Sequence, residues 1–204
     1  MVKEISETER IILESARYVF LHKGFDGATM QDIADKANIN RALLHYYFRS
    51  KKKLFETIFI EAFYKITKIV DEFILLEEDI FKRIEQFTEK YIDMFLNDPY
   101  LPLFVLHELS RDPNRILEIM ELNRIHDRVS NISNAIANAI FEKKIRPIRP
   151  QQLIVNIISL CIFPFAAKPI IKGLLFNDDE EAYINFIIER KVEVSKFIIN
   201  SIKM

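Results

Sequence analysis

The chain has 204 residues, half of them apolar and 29% charged, with a net charge of only -1. That is enough apolar surface for one good core, or one core with a small satellite domain, and it leaves no global field to attract or repel nucleic acid. Cys161 is the only cysteine, so an intramolecular disulfide is excluded and a reducing compartment is expected.

The opening residues MVKEISETER carry acids and no apolar run, so no secretory or transit signal is expected. The longest apolar stretch, Leu153 to Ala167, is interrupted by Asn156, Ser159 and Pro164, which is too short and too broken to span a bilayer. A cytoplasmic protein with no membrane partner is the expectation. Three glycines and seven prolines leave few tight turns, and apolar residues recur at three and four. The fold class predicted is all-α, with about nine helices.

In chain order, Ser6-x-x-Glu9 is a capping box that opens a helix over 7–23, with Ile12, Ala16, Val19 and Phe20 on one stripe and Gly24 as the stop. Thr29-x-x-Asp32 opens a second, short helix that ends by Ala37. Asn38-Ile39-Asn40 is a turn: Asn38 suits a left-handed backbone and Asn40 can cap the helix that Arg41 begins. Ser50 caps a long helix from Lys51 to about Leu76. Five more helices follow, over 80–97, 101–110, 114–142, 151–176 and 180–202. Pro164 and Pro169 fall inside the fourth of these, where each frees a carbonyl, at Leu160 and Phe165, and a kink or break is expected.

Charge divides the chain. Residues 1–53 carry ten Lys or Arg against seven acids, while 54–204 carry nineteen against twenty-three. From Lys36 to Lys53 there are six basic residues and no acid, with the rings His45-Tyr46-Tyr47-Phe48 among them. Two short helices joined by a three-residue turn and followed at once by basic residues have the form of a helix-turn-helix. On a helical wheel Leu44 and Phe48 face inward above Ile33 and Ile39, and Ala42, Leu43, His45 and Tyr46 face away. Phe48 is read as core. For Tyr46 the core and the outer face are both open.

The run ATMQDIADKANINRALLHYYFRSKKKLFETI resembles the DNA-binding segment of the tetracycline-repressor (TetR) family, in detail from about Ile11 to Phe59. His45 stands where that family most often has Tyr, Asn38 where Gly is usual, and Leu43 where a small hydroxyl residue is common. The resemblance implies an N-terminal helix-turn-helix domain at 1–53 and a ligand-binding and dimerisation domain at 54–204. It places Thr29, Tyr47 and Lys51 on phosphates of a double-stranded operator, and Gln31, Arg41, Leu43 and His45 near base edges or flanking phosphates; the outward-facing Ala42 and Tyr46 join them as DNA-binding candidates. It also implies a homodimer through the last two helices, a small-molecule effector, and repression.

The aromatic excess of the second part motivates an apolar effector pocket. Phe163 and Phe165 at the proline kink would line it with Tyr91, Phe95, Phe104 and His107. Arg128 and Ser159 are isolated polar groups on apolar stretches and are added to it.

Two rival classes stand against this reading. An enzyme lacks a phosphate-cradling glycine loop and an activated nucleophile. Its histidines, at 22, 45, 107 and 126, have no metal-ligand spacing, and neither a metal nor a cofactor is expected. The other rival is a DNA-binding regulator or architectural protein that answers to a protein partner. A filled core with a large exposed apolar patch would favour it.

Overall fold

The computed structural model describes residues 6–76, 79–122 and 124–204, apart from the side chain of Arg115. Among these residues there are eleven helices: α1 (Glu7–Gly27), α2 (Met30–Lys36), α3 (Arg41–Tyr47), α4 (Lys51–Leu75), α5 (Ile80–Asn97), α6 (Leu101–Arg111), α7 (Pro113–Leu122), α8 (Ile125–Phe141), α9 (Pro150–Ala166), α10 (Lys168–Phe176) and α11 (Glu180–Ile202). No strand occurs among them; one isolated bridge joins Ile145 to Lys203.

The local signals act as their chemistry requires. Ser6 accepts the Glu9 N–H at 3.2 Å and starts α1, Asp79 accepts from Phe81 and Lys82 and starts α5, and Asp179 accepts from Ala182 and starts α11. Gly24 interrupts α1 at φ 66°, ψ 173°, a backbone region that only glycine holds without strain. The helix kinks there and runs on to Gly27, beyond the stop expected at Gly24.

Two segments each counted as one helix are divided, the second where a kink or break was expected, and that accounts for eleven in place of nine. The segment 114–142 forms α7 and α8, because Arg124 turns left-handed at φ 53°. No glycine or proline marks that break. The segment 151–176 forms α9 and α10, bent by 74° at Ala167. Pro164 stays inside α9, whereas Pro169 sits in the first turn of α10, where its missing N–H costs nothing. The Leu160 carbonyl that Pro164 frees accepts from Arg190 Nη2 at 2.7 Å, and the Phe165 carbonyl accepts from the Ala167 N–H. No single helix among the described residues is long and apolar enough to cross a membrane.

The chain packs as two compact units. One comprises residues up to 64 together with 103–119, and the other 65–102 with 120–204. The division falls inside α4, further along than the change of charge at Lys53. In the first unit Phe55 meets Phe20 edge-on at 5.3 Å and stacks on Phe59 at 5.2 Å, and Phe59 touches Phe104 at 5.1 Å. Ile12, Ile33, Leu44 and Ile58 are fully buried in that unit. In the second, α11 packs on α5 and α9, with Tyr91, Phe95 and Phe165 in a chain of rings at 4.8 and 5.3 Å.

Candidate nucleic-acid interface

α2 begins at a reciprocal cap. Thr29 Oγ1 accepts the Asp32 N–H at 3.1 Å, while the Asp32 carboxylate accepts the Thr29 N–H at 2.9 Å and the Thr29 hydroxyl at 2.7 Å. The Lys23 ammonium, donating at 2.7 Å, is the main reason that the Asp32 carboxyl falls to about 2, with the Thr29 hydroxyl and N–H adding to it. A carboxyl lowered in the fold stabilises it fully above the ordinary value of 3.8, and that contribution is lost as pH falls through about 2. Acid unfolding of the wild type is therefore expected to show a loss of stability in that window that Asp32→Asn lacks; identical acid limbs would contradict the cap.

α2 ends in a Schellman turn. Asn38, at φ 53°, is its left-handed residue; its N–H bonds the Asp35 carbonyl at 3.2 Å, and the Ile39 N–H reaches the Ala34 carbonyl at 3.0 Å. Asn tolerates this backbone better than any other residue but glycine, which explains its place here. Asn40 then accepts the Leu43 N–H at 2.8 Å and starts α3.

α3 buries Leu44, with Phe48 buried as the cap that follows, and leaves Arg41, Ala42, Leu43, His45 and Tyr46 exposed. Tyr46 is 80% exposed, so of its two open readings the core one is excluded. Thr29 and Gln31 are exposed at the start of α2. The Arg41 side chain makes no hydrogen bond or ion pair with another described residue, whereas Gln31 donates to Asp35 at 2.7 Å. The Tyr47 hydroxyl lies 3.4 Å from that of Ser6. Arg49, Lys52 and Lys53 are also exposed and extend the positive field beyond α3.

Lys51 has a second duty that its position alone does not reveal. Its ammonium donates to the carbonyls of Ala28 at 2.8 Å and Asp26 at 3.2 Å, and lies over the Phe25 ring. It thereby closes the turn between α1 and α2, leaving one of its three N–H donors for a phosphate. From α6, Arg111 holds the same turn through Asp26 at 2.8 Å.

The eight pocket candidates do not gather in one place. Tyr91, Phe95 and Phe165 meet in the core of the second unit. Phe104 belongs to the core of the first, and His107 lies in that unit beside Gly24. Arg128 is held by Asp71 through two hydrogen bonds, at 2.7 and 2.9 Å, and Ser159 and Phe163 are exposed. No group of three or more candidate metal ligands occurs among the described residues.

A capped helix, a left-handed turn and a second helix that turns its polar and basic face outward define a helix-turn-helix protein of the DNA-binding class. Residues 12–58 match the family described as bacterial regulatory proteins, tetR family. The chain is 29% identical over 143 residues to IcaR of Staphylococcus aureus strain Newman, the HTH-type negative transcriptional regulator of the biofilm operon icaADBC, across 66% of this chain and 70% of that one. A Clostridium perfringens protein named as a fatty acid metabolism regulator shares the fold at a TM-score of 0.70 and 22% identity, covering 91% of this chain and 97% of its own. Bacillus subtilis FadR, solved in complex with stearoyl-CoA, does so at 0.64 and 13%, covering 93% and 97%. Residues 12–58 are a DNA-binding domain of the tetR family, and the chain is a DNA-binding transcriptional regulator.

Proposed function

We propose that this regulator is a cytoplasmic, non-enzymatic homodimeric repressor, released from its operator by a small apolar or aromatic ligand. The observation that carries the DNA part is the exposed, acid-free face of α3. Arg41 reaches base edges there, together with Gln31 from α2, while Leu43 makes apolar contact, for instance with a thymine methyl. Ala42 allows close approach, and His45 and Tyr46 complete the face. Thr29, Tyr47 and the remaining donor of Lys51 serve phosphates, which set affinity without reading sequence. Residues 1–53 form the reading head and 54–204 the regulatory part.

The dimer is supported by apolar side chains left in water on α9 to α11. Phe163 is 62% exposed, Leu174 77% and Phe197 64%, more than isolated surface residues of a monomer need. A two-fold dimer sets two heads about 34 Å apart, matching successive major grooves. Repression is supported by the likeness to IcaR, a negative regulator, and an effector by the stearoyl-CoA complex of FadR.

The test combines sedimentation with operator binding. Wild type is expected as a dimer that binds its own upstream DNA tightly. Leu174→Asp with Phe197→Asp is expected to sediment as a folded monomer and to lose at least a hundredfold in affinity, since one head alone has too little surface for tight specific binding. A variant that stays dimeric, or a monomer that binds as tightly as wild type, would sink the proposed interface.

A further inference from the structure

Among the described residues of the second unit the buried polar side chains are few: Thr67, Thr88 and Ser195, of which Ser195 donates to a carbonyl of its own helix. Thr88 and Tyr91 lie one turn apart on the inner face of α5, both buried, and Cys161 on α9 is buried as well. The Thr88 hydroxyl, fully buried, makes no hydrogen bond among the described residues. Arg190 enters from α11. One of its terminal nitrogens meets the Leu160 carbonyl, but its Nε is buried and has no partner among the described residues. No carboxylate of the described residues pairs with it. The neighbouring cations are already matched, Lys191 with Asp93 and Lys168 with Glu180.

A buried hydroxyl and a half-buried guanidinium with unmet donors are unfavourable in an otherwise packed core, and native interiors rarely keep them without a use. Leu160 alone does not explain a charged residue here, because a neutral donor would satisfy a carbonyl equally well. Around these groups the wall is aromatic: Tyr91, Phe95 and Phe165 meet ring to ring, and Phe186 lies under the guanidinium.

We infer that Thr88, Tyr91, Cys161 and Arg190 form the polar end of the effector site, and that the effector is a carboxylate carrying an apolar chain or ring. This rests on the reading of the protein as ligand-responsive. Arg190 supplies the one charge-assisted contact, Thr88 donates a second hydrogen bond, and the rings take the apolar portion. One unmatched cation fits a monoanion. The polar groups sense one another in this core: burial pushes the Tyr91 phenol up, with the Cys161 thiol adding to it, and burial carries that thiol up to about 12 against the pull of Arg190. Both therefore stay protonated, as donors, at neutral pH.

The test titrates the full-length protein calorimetrically with sodium octanoate and with 1-octanol, which share a chain and differ in charge. Octanoate is expected to bind at least tenfold more tightly than octanol. Arg190→Gln should erase that preference without changing octanol binding, Arg190→Lys should retain most of it, and Thr88→Val should weaken octanoate alone by a few fold. Equal binding of the two probes, no binding of octanoate, or a preference that survives Arg190→Gln would overturn the assignment. Operator affinity measured in the same samples separates the two readings. Preferential octanoate binding that leaves operator affinity unchanged keeps the site and removes ligand control, whereas release by another small molecule with no octanoate binding does the reverse.

Discussion

Arg41→Ala is expected to weaken operator binding on the order of a hundredfold, because one bidentate guanidinium–base contact is worth about 1–3 kcal/mol and a dimer makes it twice. The side chain is exposed at the first position of α3 and makes no hydrogen bond or ion pair with another described residue, so thermal stability should not move. The loss should also relax the base preference at one position of each half-site. Lys52, exposed in the same basic stretch, is the comparison: Lys52→Ala should weaken all DNA sequences alike and lower the salt dependence by about one unit per head. An Arg41→Ala protein that binds the operator within threefold of wild type would remove Arg41 from the base-reading face.

The largest effect on stability is expected at Gly24. Its backbone, at φ 66° and ψ 173°, lies where any side chain is strained, at a cost of about 1–3 kcal/mol. A Cβ there would also stand 1.5 Å from Arg111 Nη1, so the guanidinium would have to leave and its ion pair with Asp26 would go with it. That pair is largely exposed and adds little, on the order of 0.5 kcal/mol. With about 2–4 °C lost per kcal/mol in a chain of this size, Gly24→Ala should melt roughly 5–10 °C below wild type. Gly27→Ala is the control, since a Cβ there meets Lys23 Cβ only at 3.7 Å, an ordinary contact. Equal melting temperatures for the two variants would contradict the role given to the kink.

Much of the first unit was legible because its signals are local. Thr29 with Asp32, Asn38, Asn40 and Ser50 each act on backbone groups within a few residues, and each was readable from neighbours in the chain. The break at Arg124 was not, because an arginine in a left-handed turn carries no compositional mark. The two prolines showed that 151–176 would bend, but not that Pro169, able to sit in a first helical turn, would mark the break while Pro164 stayed inside α9. The aromatic excess assigned Phe104 to the pocket, because nothing local shows that it packs on Phe59 in the core of the first unit. The links from Lys51 to Ala28 and from Arg111 to Asp26, 23 and 85 residues apart, are tertiary and leave no spacing to read. Arg190 was missed for the same reason: its partner is a backbone carbonyl thirty residues away.

The most direct measurement is titration of a labelled fragment of the protein's own upstream DNA across a salt series, with excess unrelated DNA present. Tight binding is expected that survives the competitor, falls steeply with salt as phosphate contacts release counterions, and is lost when Arg41 and Lys51 are both alanine. Weak binding of equal strength to any DNA, unchanged in that double variant, would contradict it.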